Sequence, residues 1–450
     1  MKKLTSLFLT LFVVTALLLL SCDTEDVSSD GDINNTSSID ESSVISEISD
    51  NVSSGAVAED APEEYIDEQR FRYVKSYTSD YYYLDGTTDS SYLEEIKEIV
   101  VPEEIHGLPV VMLGDYAFSG AFSVEKITLP DTLKIISDGV FLSNIALQEI
   151  RIPDSVEYIG DEVFRNCSSI KEIYFPASVI TIGNAALRDT IGLETITVEK
   201  GNIRYHSESN CLVETATKTI IAGCMKSVIP DNGSVQYIGD NAFYGCKNLK
   251  SIEIPDTIKK IGDAAFCGCD GLTSIELKAA IEHIGGYAFS GCENLESVSM
   301  KDCNIYAIEP HTFFGCISLK SIEIPTAAKV INSMAFYECT ALESVDFGSG
   351  NLSKICDYAF GACNSLEIIR FPETLRIIEN NVFEHCGNLK EIYIPASAQD
   401  MGEYLCWSCD QDIDIYVVFE QKPDSWDENW DKVNKGEVAE NITVYWRTFG

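Results

Sequence analysis

Apolar positions recur along most of this chain in one phrase of roughly 23 residues. Its clearest copy runs Cys246-x-x-Leu249-x-x-Ile252-x-Ile254-Pro255-x-x-Ile258-x-x-Ile261-Gly262-x-x-Ala265-Phe266-x-x-Cys269. A fixed period of this length predicts a solenoid, because one such unit cannot bury its own apolar face and must stack on a neighbour. Phenylalanine marks the phase: Phe118, Phe141 and Phe164 are evenly spaced, Leu187 fills the next slot, and the series resumes at Phe243, Phe266, Phe289, Phe313, Phe336, Phe360 and Phe383. The steps from Phe289 to Phe313 and from Phe336 to Phe360 are one residue longer, so surface turns absorb an extra residue.

Within the phrase, Ser251-Ile252-Glu253-Ile254-Pro255 and Glu391-Ile392-Tyr393-Ile394-Pro395 alternate apolar and polar residues. That period predicts a short strand with one buried face. The proline lacks a ladder donor and ends it. The wider spacing that follows, Ile-x-x-Ile-Gly-x-x-Ala-Phe, predicts a second extended segment and a helical or 3₁₀ corner that carries the Phe inward. The expected fold is therefore a repeat solenoid of the α/β leucine-rich-repeat type. A curved parallel β-sheet lines its concave side, with short helical, 3₁₀ or extended segments on the convex side.

The first 21 residues read differently. Met1-Lys2-Lys3, an apolar run from Leu4 to Leu20 and Leu19-Leu20-Ser21-Cys22 have the basic, apolar and small-residue regions of a secretory signal. The run falls short of the ~20 apolar residues that a spanning helix requires. A cysteine directly after the cut resembles a bacterial lipobox, which implies lipidation at Cys22; with more than one acyl chain such an anchor is stable. Residues 22–65 are rich in Ser, Asp, Glu, Asn and Thr, with no aromatic before Tyr65 and no Lys or Arg before Arg70. This composition predicts a disordered acidic tether spanning on the order of 35 Å, extended further by its own charge. An N-terminal cap is expected over 66–95, repeats over 96–410 with a hairpin inserted at about 200–232, and a C-terminal cap over 411–450.

The repeat phrases resemble the leucine-rich repeat superfamily, and within it the BspA-like (Treponema pallidum-type) class, whose units read close to C-x-x-L-x-x-I-x-I-P-x-x-V-x-x-I-G-x-x-A-F. Three further stretches carry the resemblance: Ile105-His106-Gly107-Leu108-Pro109-Val110, Asn210-Cys211-Leu212-Val213-Glu214 with Gly223-Cys224, and Lys422-Pro423-Asp424-Ser425-Trp426-Asp427-Glu428-Asn429-Trp430. It covers about residues 66 to 450. The departures are Ala121, Asn144 and Thr190 in the Cys slot and Leu187 in the Phe slot, which suggest looser packing in the N-terminal third.

Charge limits the partners. With 32 basic and 72 acidic residues the formal net charge is −40, which makes nucleic acid a poor ligand. An acidic exterior suits basic patches on protein partners, and equally serves solubility and repulsion between copies.

Of the 16 cysteines, Cys167, Cys246, Cys269, Cys292, Cys316, Cys339, Cys363, Cys386 and Cys409 share one repeat slot. The slot also accepts Ala, Asn and Thr, so a packing ladder of small buried residues is the favoured reading over disulfides or metal. Strand spacing alone leaves pairing open. Cys211 and Cys224 lie in the expected inserted hairpin, where they can face each other as a candidate disulfide.

Cys406-Trp407-Ser408-Cys409 has C-x-x-C spacing, but the repeat already accounts for Cys409 and places Cys406 in the Phe slot. Asp410-x-Asp412-x-Asp414 begins like a calcium loop, yet Ile415 stands where glycine is needed and Gln421 where glutamate is needed. The histidines are scattered, and no nucleophile elbow or phosphate-cradling loop occurs. No catalytic set, cofactor site or metal site is expected.

What remains is a surface. The strand residues beside each buried aliphatic form two outward columns. One runs Lys126, Glu149, Glu172, Thr195, Ser251, Ser274, Ser297, Ser321, Ser344, Ile368 and Glu391. The other runs Thr128, Arg151, Tyr174, Thr197, Glu253, Glu276, Ser299, Glu323, Asp346, Arg370 and Tyr393. Extended concave sheets are how solenoids bind, and Tyr and Arg favour interface anchors. An exposed sheet face also carries whatever solubility requires, and both readings stand. Candidate binding residues are Arg151, Tyr174, Glu253, Glu276, Glu323, Asp346, Arg370 and Tyr393. Tyr81, Tyr82 and Tyr83, and Trp426, Trp430 and Trp446, are expected to seal the ends. The family resemblance implies a non-catalytic, adhesin-like protein, because BspA-like proteins are associated with attachment to host matrix or plasma glycoproteins and to other microbes. It would be anchored by lipid to a bacterial cell envelope and exposed there. The alternative is a glycan- or envelope-polymer-binding module, whose affinity would survive high salt.

Overall fold

The structure, a computed structural model, describes residues 63–77, 79–409, 411–432 and 442–446. The expected signal segment, Cys22 and nearly all of the tether lie outside these residues.

Most repeats lay down a strand where the sequence alternates, but the expected strand Ser251-Ile252-Glu253-Ile254-Pro255 does not form. Those that form include Lys126–Thr128, Glu172–Phe175, Thr195–Val198, Ser274–Glu276, Ser297–Ser299, Ser321–Glu323, Ser344–Asp346, Ile368–Arg370 and Glu391–Ile394. Neighbours pair in parallel with equivalent positions opposite, as in Glu172↔Thr195, Ser274↔Ser297 and Ile368↔Glu391. In Ser321–Glu323 the central Ile322 is buried and both flanking residues are exposed, the period-2 signature of a half-buried strand. The second extended segment also forms. Two-residue strands such as Tyr237–Ile238, Lys260–Ile261 and His283–Ile284 pair in parallel and add a second ladder.

The corner that carries the Phe is neither helical nor 3₁₀. Ala264 and Gly268 flank Phe266 with φ of 51° and 68°, left-handed values that stop a right-handed helix at both sides of the ring. Alternate amides then point at the next repeat: Ala264 N donates to Gly286 O, Phe266 N to Ala288 O and Gly268 N to Ser290 O, each at 2.8 Å. Among the described residues the assigned α-helix is the single turn Tyr92–Glu95 in the N-terminal cap. The turn column is thus a third inter-repeat ladder, which pairs backbone groups that would otherwise be buried without partners.

The Phe rings stack inside this column. Phe266 and Phe289 lie 5.4 Å apart at 3°, Phe336 and Phe360 5.3 Å apart at 2°, and all are fully buried. The run from Phe243 to Phe383 is continuous, as is the shorter one from Phe118 to Phe164. Leu187 and the insertion separate them, and the buried residues fall into two clusters that meet there.

The insertion forms an antiparallel meander of Tyr205–Glu208, Cys211–Glu214 and Thr219–Ala222. Its last strand turns parallel against Tyr237–Ile238 and restarts the second ladder. Meanwhile Asp189 N donates to Tyr244 O at 3.3 Å, so the turn column passes directly from one repeat to the next while the meander is looped out. Gly223 permits the junction: a Cβ there would meet the Phe243 ring at 2.0 Å.

At the start, Glu64–Ile66 pairs antiparallel with Phe71–Lys75, so the cap takes in the last residues assigned by composition to the tether. Tyr82 is buried in the cap's third strand. At the other end Trp426 and Trp430 are buried edge-to-face, 5.0 Å apart, and Trp446 packs beside both.

Candidate binding face

The outward side of the long-strand ladder presents the two columns read from the sequence. Parallel register places equivalent side chains about 4.8 Å apart along each column. In the middle of the face, Ser274, Ser297, Ser321 and Ser344 are successive partners, and Glu323 faces Asp346 in the neighbouring column. Asp346 also accepts from Gly348 N at 2.8 Å. Glu276 meets Lys278 Nζ at 2.8 Å. Glu253 is exposed in a segment without assigned strand.

Of the two Arg–Tyr pairs adjacent in the second column, Arg151 with Tyr174 and Arg370 with Tyr393, one comes together. Arg151 reaches back to Asp131 at 2.8 Å and lies 3.7 Å from Asp154. The hydrogen bond to Asp131 is the main cause that raises its pKa. Tyr174 is 43% exposed beside Thr197. Its phenol is pushed up by desolvation first and by Glu199 next. At the C-terminal end the Arg370 guanidinium lies 3.5 Å over the centre of the Tyr393 ring, and the Tyr393 hydroxyl donates to Glu391 at 2.8 Å.

The stack continues past the last residue expected from sequence. Ile413–Val417 and Ile442–Trp446 extend the parallel sheet, with Tyr393, Tyr416 and Tyr445 in register. Their rings stack at 4.6 and 5.0 Å, tilted by only 14° and 13°. Alternation in Ile413-Asp414-Ile415-Tyr416-Val417 was the available signal for Tyr416. A cavity of about 370 Å³ runs beside the stack, lined by Phe371, Glu373, Pro395, Val418 and Trp446 together with the tyrosines. Desolvation is the largest cause raising the Tyr416 phenol, with Asp414 second. For Tyr445 the charge of Asp414 comes first, and Asp414 also accepts its hydrogen bond.

Cys211 and Cys224, the candidate disulfide, are both free thiols. Cys211 Sγ donates to Val228 O at 3.6 Å and Cys224 Sγ to Asn210 O at 3.8 Å, while the Ser227 hydroxyl approaches Cys224 Sγ to 3.7 Å. Each thiol thus lies among backbone and hydroxyl partners. Cys406 and Cys409 are buried. Among the described residues no group of His, Cys, Asp and Glu is arranged to hold a metal ion, and no helix is long and apolar enough to cross a membrane.

No curated protein matches the chain. Solved structures show the same fold. A leucine-rich repeat protein from Eubacterium ventriosum aligns at 22% identity and a TM-score of 0.58, covering 72% of this chain and 95% of that one. One from Bacteroides ovatus aligns at 22% identity and 0.55, covering 85% and 99%. The pneumococcal vaccine antigen PcpA aligns at 18% identity and 0.52, covering 86% and 99%. Residues 91–213, 223–304 and 302–413 match the profile of the BspA type leucine rich repeat region in 6 copies. With most of its length so matched, and with the strand, turn and Phe columns in register, this chain belongs to the BspA type leucine-rich repeat family.

Proposed function

We propose that this protein is a non-catalytic, adhesin-like binding solenoid. A lipid on Cys22 holds it to a bacterial cell envelope, and it engages host matrix or plasma glycoproteins, or other cells, through the outward face of its long-strand ladder. The observation that carries this reading is the in-register run of Arg370, Tyr393, Tyr416 and Tyr445 beside a cavity, exposed at both ends and half-buried at Tyr393 and Tyr416. Family membership supports a protein-binding role, since repeat solenoids bind through such extended surfaces. The stack favours protein over glycan. Its ring faces are occupied by one another, which leaves edges, hydroxyls and one outer face to a ligand, whereas a sugar ring stacks on an open aromatic face.

The test is attachment of intact cells to immobilised matrix and plasma glycoproteins. Cells producing the protein are expected to attach saturably. Cells producing Cys22→Ser are expected to shed it and lose attachment. Equal attachment by cells with and without the protein would refute the reading, and attachment to glycan arrays alone would replace it with the polymer-binding one.

A further inference from the structure

The stack has two ends, and the molecule itself shows what one of them takes. Arg370 closes the Tyr393 end with its guanidinium 3.5 Å from the ring centre, and Glu391 lies 3.8 Å from the same guanidinium. The chain repeats this choice elsewhere: Arg188 lies 3.5 Å over Tyr244. Tyr445 forms the other end. It is 46% exposed, its inner face lies on Tyr416, and no cation of the described residues rests on its outer face. Asp414 sits beside its hydroxyl, and Glu373 is the charged residue that lines the adjoining cavity. An aromatic face with a carboxylate beside it attracts a cation through the ring quadrupole and through charge together. A planar guanidinium continues such a stack as one more plate while its fork hydrogen-bonds a carboxylate, whereas a compact ammonium cannot stack in this way.

We infer that the Tyr445 end of the stack is a docking subsite for an arginine side chain of a partner protein, presented on an extended segment that lies in the cavity beside Tyr416 and Pro395. This rests on the protein-binding reading above and names the chemistry of the partner. Charge complementarity with the acidic chain favours a basic segment. Arg370 supplies the internal precedent for the geometry.

The experiment uses the full chain in mild detergent and three fluorescein-labelled peptides of alternating Gly and Ser. They differ only in carrying spaced arginines, spaced lysines or spaced glutamates, and binding is read by anisotropy at low and physiological salt. The arginine peptide is expected to bind saturably, about tenfold more tightly than the lysine peptide. Tyr445→Ala should abolish that preference and Tyr445→Phe, which keeps the ring, should retain it. Asp414→Asn should weaken binding, and Tyr306→Ala, at an exposed tyrosine outside both outward columns, should leave it unchanged. Equal binding of the arginine and lysine peptides, absence of binding, or an unchanged preference in Tyr445→Ala overturns the inference. Immobilised glycoproteins run against the same wild-type sample separate the two claims. Glycoprotein binding without arginine preference overturns the subsite alone, and loss of both overturns the subsite and the protein-binding reading together.

Discussion

The thiol of Cys292 donates to the carbonyl oxygen of Phe266 in the preceding repeat, at 3.2 Å. The same bond recurs from Cys167 to Phe141, Cys269 to Phe243, Cys316 to Phe289, Cys339 to Phe313, Cys363 to Phe336, Cys386 to Phe360 and Cys409 to Phe383. The repeat slot therefore selects a small residue that can also donate. Exceptions show the cost of another choice. Asn144 accepts from Ala121 N at 3.0 Å but leaves its own buried Nδ2 without a partner.

Cys292→Ala is expected to lower stability by about 1–2 kcal/mol, combining a lost hydrogen bond with a small cavity. The lower part of the usual range applies because the Phe266 carbonyl still accepts from Cys269 N. Cys292→Ser, which keeps a donor, should fall between alanine and wild type in urea denaturation. A serine variant less stable than alanine would contradict the hydrogen-bond account.

Phe266→Ala removes one ring from the middle of the longer stack and should cost roughly 3–5 kcal/mol. An unchanged urea midpoint would mean that the Phe column does not carry the core.

Gly223→Ala should destabilise by about 1–3 kcal/mol, because the added methyl meets the Phe243 ring and forces repacking. The neighbouring Gly233→Ala tests strain without crowding: nothing lies near its Cβ, but its φ of 82° is left-handed. The two variants compared by thermal melting separate steric from backbone effects.

Burial pushes the thiols up, Cys167 and Cys211 to about 12 and Cys267 to about 11. An unfolded thiol titrates near ~8.5. Above that pH the folded state holds more protons than the unfolded state, so stability falls as pH rises. The stabilisation is complete below about 8.5 and is lost progressively toward pH 11–12. Urea midpoints at pH 7.5 and 10 under reducing conditions should show the decline, with a smaller decline in Cys167→Ala. Alkylation at pH 8 should label these thiols only after denaturant is added.

The strands and the Phe phase were legible because alternation and period are written in apolar residues such as Ile392, Ile394 and Phe266. The left-handed corner was not. Its first left-handed position is mostly filled by residues that do not signal positive φ, such as Tyr116, Glu162, Ala264 and Met334, with Gly139, Asn241 and Asn381 the exceptions, so the spacing read as a helix. What fixes the corner is bonding to the next repeat, which local propensity does not encode. The candidate face was legible as far as Tyr393. Beyond Cys409 the Phe and Cys landmarks end, so Tyr416 and Tyr445 fell outside the columns although the sheet continues through them.

The most direct test of the account measures binding of the purified protein to immobilised matrix and plasma glycoproteins across a salt series, beside a Tyr393→Ala, Tyr416→Ala double variant with an unchanged melting profile. Saturable binding that persists at physiological salt and is lost in the variant is the predicted result. Equal binding by both proteins, or binding that appears only at low salt, would contradict the claim that this face of the solenoid is a protein-binding surface.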